Sequence, residues 1–388
     1  MTFKSILLAS ALAACAPFPL SSAFAQTAES AAVAKSQSQA TQRPNVLVWM
    51  LDDVGFAQIG SYGGLVETPN IDRVARLGLR YTNYHTTPIC SASRAAFLTG
   101  RNSHSVRVGG HSAGARPYPG YDSEIPAEDG TIAAYLKRDG YATFALGKWD
   151  HLPSAQQSGP GPFRLWPSGQ GFDRFYGFLA ADTSNWEPTL VSDNTSIPTP
   201  RSPSYHLSTD MADKAIEMIA VRRATAKPAP FFMYWATGAA HAPHHAPPEW
   251  IERFRGQFDD GWDSARQRIL DRQIAQGLVP KATKLPPRPD GMPAWKSLSR
   301  EQKRLYARQM EVFAASLSHA DHEFGRILGA LEASGELNDT IVVITSDNGA
   351  SAEGAVDGSF NEMLFVNGVF PDVSANLKHY ETWGDPST

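Results

Sequence analysis

Short, continuous apolar runs alternate along this chain with segments of helical periodicity. The run at 46–51 (VLVWML) lacks polar alternation, which is typical of a strand buried on both faces of a sheet. A helix over 68–78 is predicted next, because Thr-Pro opens the segment and Gly closes it. Similar strand and helix patterns recur in 131–146, 208–237 and 299–345. This order predicts an α/β fold, in which a mostly parallel sheet lies between layers of helices.

The N-terminal residues differ in composition from the rest. A lysine, an apolar stretch and the small-x-small site AFA at 23–25 predict a signal peptide over 1–25. Residues 26–42 are mostly Ala, Ser, Thr and Gln, which predicts a flexible leader before a catalytic domain over 43–388. The sequence LAAC, which ends at Cys15, resembles a lipobox. We therefore expect a periplasmic or secreted protein, with a lipoprotein anchored through Cys15 as the alternative. No later stretch approaches the ~18 apolar residues of a transmembrane helix.

The composition bears on partners and on the cysteines. The chain has 388 residues, a formal net charge of -4 and 42% hydrophobic residues, which is typical of a globular protein. Nucleic acid is not an expected partner, because its binding requires a basic face. Apart from Cys15, Cys90 is the only cysteine. Since thiols tend to pair in exported proteins, Cys90 is either a buried small hydrophobe or a reactive or modified residue.

Polar side chains stand where the predicted strands end. Asp52 and Asp53 follow the first strand, and Asp347 and Asn348 follow the last one. An isolated Asp pair is more often a turn or a helix cap, but sites in open α/β sheets form at the carboxyl ends of strands. Three carboxylates and an amide oxygen at one place favour a hard cation between them, Ca²⁺ rather than Mg²⁺ because Ca²⁺ tolerates irregular geometry. Two other strands end near Lys148, His151 and His241.

Cys90 is expected at or just before the start of a helix, because small and then apolar residues follow it. Backbone N–H groups at such a position favour an anion and lower the pKa of a thiol. Arg94 lies one helical turn further on and can face the same side, where its guanidinium can hold an oxyanion by two contacts.

The segment CSASR at 90–94 resembles the Cys-x-Pro/Ala-x-Arg signature of the type I sulfatases, in which the cysteine is oxidised to formylglycine after translation. The stretch 161–190 further resembles the larger bacterial arylsulfatases. The resemblance implies an alkaline phosphatase/sulfatase-like fold with a large mixed sheet. Other segments match family motifs in order: 45–53 (NVLVWMLDD), 98–101 (LTGR), 147–149 (GKW), 241–243 (HAP) and 345–349 (TSDNG).

The resemblance also implies a mechanism and a set of roles. Hydrated formylglycine at position 90 would attack the sulfur of a sulfate monoester, here an aryl sulfate, and its second hydroxyl would then expel sulfate. A formylglycine-generating enzyme is the implied maturation partner. The metal ligands carried over are Asp52, Asp53, Cys90, Asp347 and Asn348, and the other catalytic residues are Arg94, Lys148, His151 and His241.

Three features depart from the family pattern. Ala92 stands where Pro is commoner, which bears on the maturation system. Asp150 stands where the family has His, so the role falls to Asp150 without a gap or to His151 with a one-residue shift. His151 is preferred because expulsion of sulfate needs a base of near-neutral pKa. Family members also continue beyond residue 388 with a second lysine and most of a small C-terminal domain, so we expect an incomplete catalytic domain.

Two other functions stay open at this point. Enzymes with the same fold cleave phosphonates or phosphodiesters, and a truncated chain is alternatively a non-catalytic remnant with an uncovered sheet edge. The mass of the peptide that carries residue 90 separates an enzyme from a remnant. Aromatic residues within 153–203, such as Trp166 and Trp186, either form a wall for the substrate or pack internally.

Overall fold

One sheet of seven strands organises the computed structural model, which describes residues 43–352 and 354–388. Its strand order is β5–β4–β3–β2–β6–β1–β7. Neighbouring strands from β3 to β7 in this order are parallel, and β4 and β5 add an antiparallel edge. The predicted mixed, mostly parallel sheet is confirmed. The strands are β1 (Asn45–Leu51), β2 (Ala142–Lys148), β3 (Arg174–Phe178), β4 (Leu190–Ser192), β5 (Thr195–Ile197), β6 (Phe231–Ala236) and β7 (Thr340–Ser346).

Helices connect the strands, and the expected alternation of the two is observed. The predicted signal peptide, the leader and Cys15 lie outside the described residues. Within them, no helix combines the length and apolar character needed to cross a membrane. The helices are α1 (Pro69–Leu77), α2 (Cys90–Thr99), α3 (Ile132–Arg138), α4 (Leu207–Arg223), α5 (Pro248–Arg253), α6 (Gly261–Ala275), α7 (Arg300–Ala333), α8 (Glu362–Val366) and α9 (Val373–Leu377).

Apolar cores cover both faces of the sheet. Leu47 and Trp49 of β1 point into one core, whereas Val48 and Met50 point into the other. Burial on both faces explains why β1 shows no polar alternation. The edge strand β7 differs, because Ile341 is half exposed on one face while the alternate residues pack against the core.

The helix α7 fixes the position of the first connection. Its start has a capping box, in which Ser299 Oγ accepts a bond from Gln302 N (3.1 Å) and Gln302 Oε1 accepts one from Ser299 N (3.0 Å). Further along, the carboxylate of Asp321 accepts bonds from the backbone N–H groups of Asn70 (3.0 Å) and Ile71 (2.8 Å). These bonds satisfy donors at the start of α1, and they hold the segment that follows β1 against the helix layer.

Glycine is required at the end of β2. Gly147 has φ of 94°, and a Cβ atom there would lie 2.0 Å from Ala236 O of β6. Only glycine allows the two strands to stay paired up to the residue before Lys148. The backbone at this position therefore brings Lys148 to the same sheet edge as the ends of β1 and β7.

The region 153–203 contains β3, β4 and β5, which extend the sheet. Trp166 is fully buried, and Trp186 packs edge-on against His206 with ring centroids 4.9 Å apart. Of the two interpretations of these aromatic residues, the structure supports internal packing.

Candidate active site

Three carboxylates meet at the carboxyl edge of the sheet. Asp52 and Asp53 follow β1, and Asp347 follows the adjacent strand β7. All three are buried, and one oxygen of each lies within 4.8 Å of the others. Asp53 has φ of 57°, a left-handed conformation that turns the chain sharply after the strand. The predicted convergence of the two strand ends is observed, and we call these residues the carboxylate cluster.

Two buried cations lie within the carboxylate cluster. Lys148 Nζ is 2.8 and 3.0 Å from the carboxylate oxygens of Asp52. Arg94 donates from Nε and one terminal nitrogen to Asp347 Oδ2, at 3.1 and 2.7 Å. Burial opposes the charge of Lys148, but Asp52 and Asp150 outweigh it and raise the pKa of Lys148 well above its usual range. The cations therefore offset part of the repulsion among the carboxylates.

The two cations do not fully offset the negative charge of the carboxylates near Asp53. Burial raises the pKa of Asp53, and burial together with Asp52 raises the pKa of Asp347 to about 6. Asn348 Nδ2 donates to Asp53 Oδ1 (2.6 Å), while Asn348 Oδ1 is buried and has no hydrogen-bond partner among the described residues. An unpartnered buried oxygen beside under-compensated carboxylates is the donor set of a hard divalent cation. The residues present thus fit such an ion.

Cys90 is the first residue of α2 and is buried beside the carboxylate cluster. Burial raises the pKa of its thiol far above the usual range, and the carboxylates of Asp150 and Asp52 add to this effect against the opposing charge of Lys148. The expectation that the helix start lowers this pKa is wrong, because desolvation and two carboxylates outweigh the helix. An unmodified thiol here is a poor nucleophile at neutral pH.

Asp150 and His151 occupy different environments. The carboxylate of Asp150 lies 3.8 Å from Lys148 Nζ and next to the Cys90 thiol, and its Oδ2 has no hydrogen-bond partner among the described residues. The imidazole of His151 lies against Trp149, with Nδ1 2.6 Å from the Trp149 carbonyl oxygen and a centroid separation of 4.1 Å. Burial lowers the pKa of His151 to about 4. The near-neutral pKa for which His151 was preferred is therefore not observed.

His241 follows β6 and stands at the boundary of the cluster. Its Nε2 lies 3.8 Å from Asp53 Oδ2, and its Nδ1 lies 2.5 Å from the carbonyl oxygen of Ala242. Burial and Lys148 disfavour its protonation, but Asp52 and Asp53 outweigh them and raise the pKa of His241. The Nδ1 contact fixes the ring so that Nε2 faces the site.

The neighbouring histidines of this loop have structural contacts. His245 Nδ1 accepts a bond from Asn185 N (3.2 Å), and the ring of His244 packs edge-on against Phe313. Burial lowers the pKa of His244 to about 4. Both imidazoles are therefore in contact with other parts of the fold.

A cleft of about 580 Å³ begins at the carboxylate cluster. Asp53 and His241 lie at one end of it, and apolar side chains from α6, α7 and the segment around residue 383 form its walls. Neither Trp166 nor Trp186 lines it. The sequence analysis missed these walls, because their residues come from distant parts of the chain, and helical periodicity alone does not separate a cleft wall from a core.

Comparison with known proteins agrees with this geometry. The sulfatase family model matches residues 44–383. An uncharacterized sulfatase of Schizosaccharomyces pombe is 32% identical over 373 residues, which cover 88% of this chain and 64% of that protein. An arylsulfatase of Klebsiella aerogenes is 30% identical over 329 residues, which cover 80% of this chain and 67% of that protein. The chain thus spans about two thirds of the length of these relatives.

A solved structure shows the same fold. Ps i-CgsB, crystallised in complex with k-i-k-neocarrahexaose, superposes with a TM-score of 0.57 at 22% identity, over 83% of this chain and 61% of that one. The expected sulfatase-like α/β fold is confirmed. The chain belongs to the sulfatase family, as the order of its motifs, its fold and the match of the family model over most of its length show.

Proposed function

We propose that the protein hydrolyses a sulfate monoester, with residue 90 in its formylglycine form as the nucleophile. One observation carries the proposal: a buried, catalytically poor thiol lies at a helix start beside the carboxylate cluster and Lys148. Such an environment suits a different functional group at position 90. A hydrated aldehyde supplies two hydroxyls where the thiol offers none.

The chemistry proceeds in two steps. One hydroxyl oxygen of the hydrate attacks sulfur, and the ester oxygen leaves with a proton as the alcohol or phenol. The second hydroxyl then loses its proton, the C–O bond to the sulfate breaks, and sulfate leaves as the aldehyde forms again. Water restores the hydrate. A divalent cation, for which we propose Ca²⁺, would neutralise charge on the sulfate and the attacking oxygen.

Ligands for this cation come from two distant stretches of chain. Asp52, Asp53, Asp347 and Asn348 would hold it, together with an oxygen of residue 90. The orphaned Asn348 Oδ1 and the raised pKa of Asp347 support this assignment.

The proton transfers are assigned by position. His241 lies where the cluster opens into the cleft, which is where the leaving oxygen would emerge, so we assign it as the acid. Asp150 lies next to the side chain of residue 90 and has a buried carboxylate oxygen without a partner among the described residues, so we assign it, in preference to His151, to the hydroxyl that loses its proton in the second step. Lys148 and Arg94, which the carboxylates orient, would hold the oxygens of residue 90 and of the sulfate.

An aryl sulfate is the proposed substrate class, because a phenol leaves more readily than an alkyl alcohol and the Klebsiella relative carries the name arylsulfatase. The sequence of residues 1–42 supports export, to the periplasm or beyond, with a lipid on Cys15 as the alternative. Maturation by a formylglycine-generating enzyme is part of this proposal. N-terminal sequencing of the protein from its host separates the two forms of processing.

Turnover of 4-nitrophenyl sulfate tests the proposal, with residue 90 examined in the same sample by mass spectrometry. The peptide that carries residue 90 should weigh about 18 Da less than the thiol peptide, and the aldehyde content should scale with activity. A phosphonate monoester and bis(4-nitrophenyl) phosphate, assayed in parallel, test the alternative reaction. Protein that carries the aldehyde and Ca²⁺ but hydrolyses none of these esters would support the non-catalytic remnant instead.

A further inference from the structure

The cleft beside His241 is larger than a single ring requires. Its volume is about 580 Å³, within the range of pockets that enclose drug-sized molecules. A cavity of about 150 Å³ is enough for benzene. Because Asp53 and His241 form one end of the cleft, an ester whose sulfate lies on the carboxylate cluster would extend its organic part into this space.

Aromatic rings form much of the wall. The ring of Trp262 is nearly parallel to that of Tyr306, at 5.6 Å, and meets the ring of Trp295 edge-on at 4.9 Å. Leu65 and Met310 add aliphatic surface between them. Flat apolar surfaces of this kind bind flat apolar ligands through burial and ring contacts. The Phe, Trp and Tyr residues that line the cleft are Phe258, Trp262, Trp295, Tyr306, Phe313, Phe360 and Trp383.

The polar atoms of these walls already have partners inside the protein. Trp262 Nε1 donates to Pro293 O (3.1 Å), and Trp295 Nε1 donates to Asp259 O (3.2 Å). The hydroxyl of Tyr306 donates to a carboxylate oxygen of Asp357 (2.5 Å). These side chains therefore present ring faces, not hydrogen-bond groups, to the cleft.

Two glutamine side chains of the wall are engaged in the same way. Gln309 Nε2 donates to Asp357 O (2.8 Å), and Gln58 Oε1 accepts a bond from Gly55 N (2.5 Å). A sugar would bring several hydroxyls into this space. Each hydroxyl that loses water without gaining a partner costs binding free energy, so the aromatic part of the wall disfavours a carbohydrate.

We infer that this cleft binds the organic part of the ester, and that this part is a flat, hydrophobic phenol with several fused rings. The inference rests on the proposed function, because it takes the carboxylate cluster as the place of the sulfate. It narrows the substrate class from any aryl sulfate to large, carbohydrate-free ones. Binding of the desulfated ring system requires neither formylglycine nor a cation.

Direct binding gives the first test. A four-ring phenolic steroid and phenol itself are titrated into the protein, with tryptophan fluorescence and calorimetry as readouts. We expect the steroid to bind at least about tenfold more tightly, since the larger ring system buries much more apolar area. Equal affinities, or no binding of the steroid, would overturn the inference whatever the catalytic result.

Kinetics with aldehyde-bearing protein give the second test. 4-Nitrophenyl sulfate, a phenolic steroid sulfate and a 6-sulfated hexose are compared under the same conditions. We expect the KM of the steroid sulfate to be at least about tenfold below that of 4-nitrophenyl sulfate, and the hexose to be the poorest of the three. Hydrolysis of the single-ring ester with no gain for the steroid sinks this inference and leaves the proposed function standing. Absence of turnover of all three contradicts the proposed function, while the binding result still decides the inference.

A blocking variant connects both readouts to the cleft. Ala265 of α6 lines the cleft, and Ala275 of the same helix is exposed and does not. Ala265→Phe should weaken steroid binding and raise the KM of its sulfate about tenfold or more. Ala275→Phe, the matched control, should change neither. If Ala265→Phe does not fold, Ala57→Leu narrows the opposite wall. An unchanged steroid affinity in a folded blocking variant contradicts the inference.

Discussion

The protein has two clusters of buried charged side chains, and the pKa values of their carboxyl groups are shifted in opposite directions. In the carboxylate cluster, burial raises the pKa of Asp53, and it raises that of Asp347 to about 6. A second cluster lies between α4 and α7 and includes His319, Glu323 and Arg326. Burial also favours a raised pKa of Glu323, but hydrogen bonds from His319 and Arg326 outweigh this effect and lower the pKa of Glu323 to about 2. Burial therefore accompanies raised carboxyl pKa values in the carboxylate cluster and a lowered carboxyl pKa in the second cluster.

The difference lies in the partners. Glu323 accepts a bond from Thr209 Oγ1 (3.0 Å) and another from Arg326 (2.6 Å), so its charge is matched within the fold. Asp53 has an amide and a histidine beside it, and an oxygen of Asn348 nearby has no partner among the described residues. Buried groups that a fold leaves under-compensated are candidates for ligand binding, whereas matched groups support the structure. Four experiments test this contrast.

Loss of the side chain at position 90 should have the largest effect. Cys90→Ala should lower kcat for 4-nitrophenyl sulfate on the order of 10⁴-fold, because the nucleophile is absent. Unfolding free energy should change by no more than about 1–2 kcal/mol, since a small buried group is removed. Stopped-flow or endpoint assays and thermal unfolding measure the two quantities. Ser93→Ala, on the same helix, is the control, and activity retained by Cys90→Ala contradicts the proposal.

Substitution of Asp150 or His151, the two candidates for the proton transfer in the second step, should have the next largest effect. Asp150→Asn should lower kcat about 100-fold with little change in KM, because an amide of similar size remains beside residue 90 but cannot take its proton. Asp150→His should recover part of the rate, and it should shift the pH–rate profile. His151→Gln is the comparison. A larger loss in His151→Gln than in Asp150→Asn would return the role to His151.

Cation binding should stabilise one cluster and not the other. At a free Ca²⁺ concentration 100 times its Kd, the wild-type protein should gain about 2.7 kcal/mol of unfolding free energy. Asp53→Asn should lose most of this gain, and it keeps a residue type that accepts the left-handed φ of 57°. In the presence of a chelator the variant should be at least as stable as the wild type, because a carboxylate with a raised pKa is removed.

Glu323→Gln is the matched control for that experiment. It should lower stability in chelator and leave the calcium-induced gain unchanged, since Glu323 lies in the second cluster. Thermal unfolding with calcium and with a chelator measures both variants. Equal calcium responses of Asp53→Asn and the wild type would remove Asp53 from the proposed ligands.

The smallest effect concerns pH and the second cluster. Burial and the neighbouring His319 hold the pKa of His206 well below its ordinary value of 6.5. Above pH 6.5 this histidine is neutral in both the folded and the unfolded protein, so it does not change the unfolding free energy. As the pH falls below 6.5, it becomes protonated in the unfolded chain but not in the folded one, which lowers the unfolding free energy. The slope from this residue should be about 1.4 kcal/mol per pH unit. His206→Asn keeps a residue suited to cap α4, and it should flatten the slope between pH 6.5 and 5. An unchanged slope in chemical denaturation would show that another group carries it.

Local patterns predicted the part of the site that depends on strand ends. The apolar run of β1 and the Asp-Asp pair after it lie next to each other in the sequence, and parallel strands bring their ends to one edge. Asp52 and Asp347 were therefore expected to meet, and they do. The short strands β4 and β5 have three residues each, which is too few for a periodic signal.

What depends on packing was not predictable from the sequence. The pKa of Cys90 is set by burial and by carboxylates that reach it through the fold, so the helix start alone gave the wrong direction. Likewise, Trp262 and Phe313 form a cleft wall only because α6 and α7 pack beside each other. Their spacing along the helices would be the same in a solid core.

The helix α7 connects the cleft mechanically with the second cluster. With 34 residues it is about 50 Å long, and it carries Tyr306 and Phe313 to the cleft as well as Asp321 and Glu323 to the framework. Bending this helix to widen the cleft would break the hydrogen bonds that hold α1 and the second cluster. The wall that α7 contributes to the cleft is therefore held in place by the rest of the fold. It should bind ligands that already fit its shape and should not adapt to others.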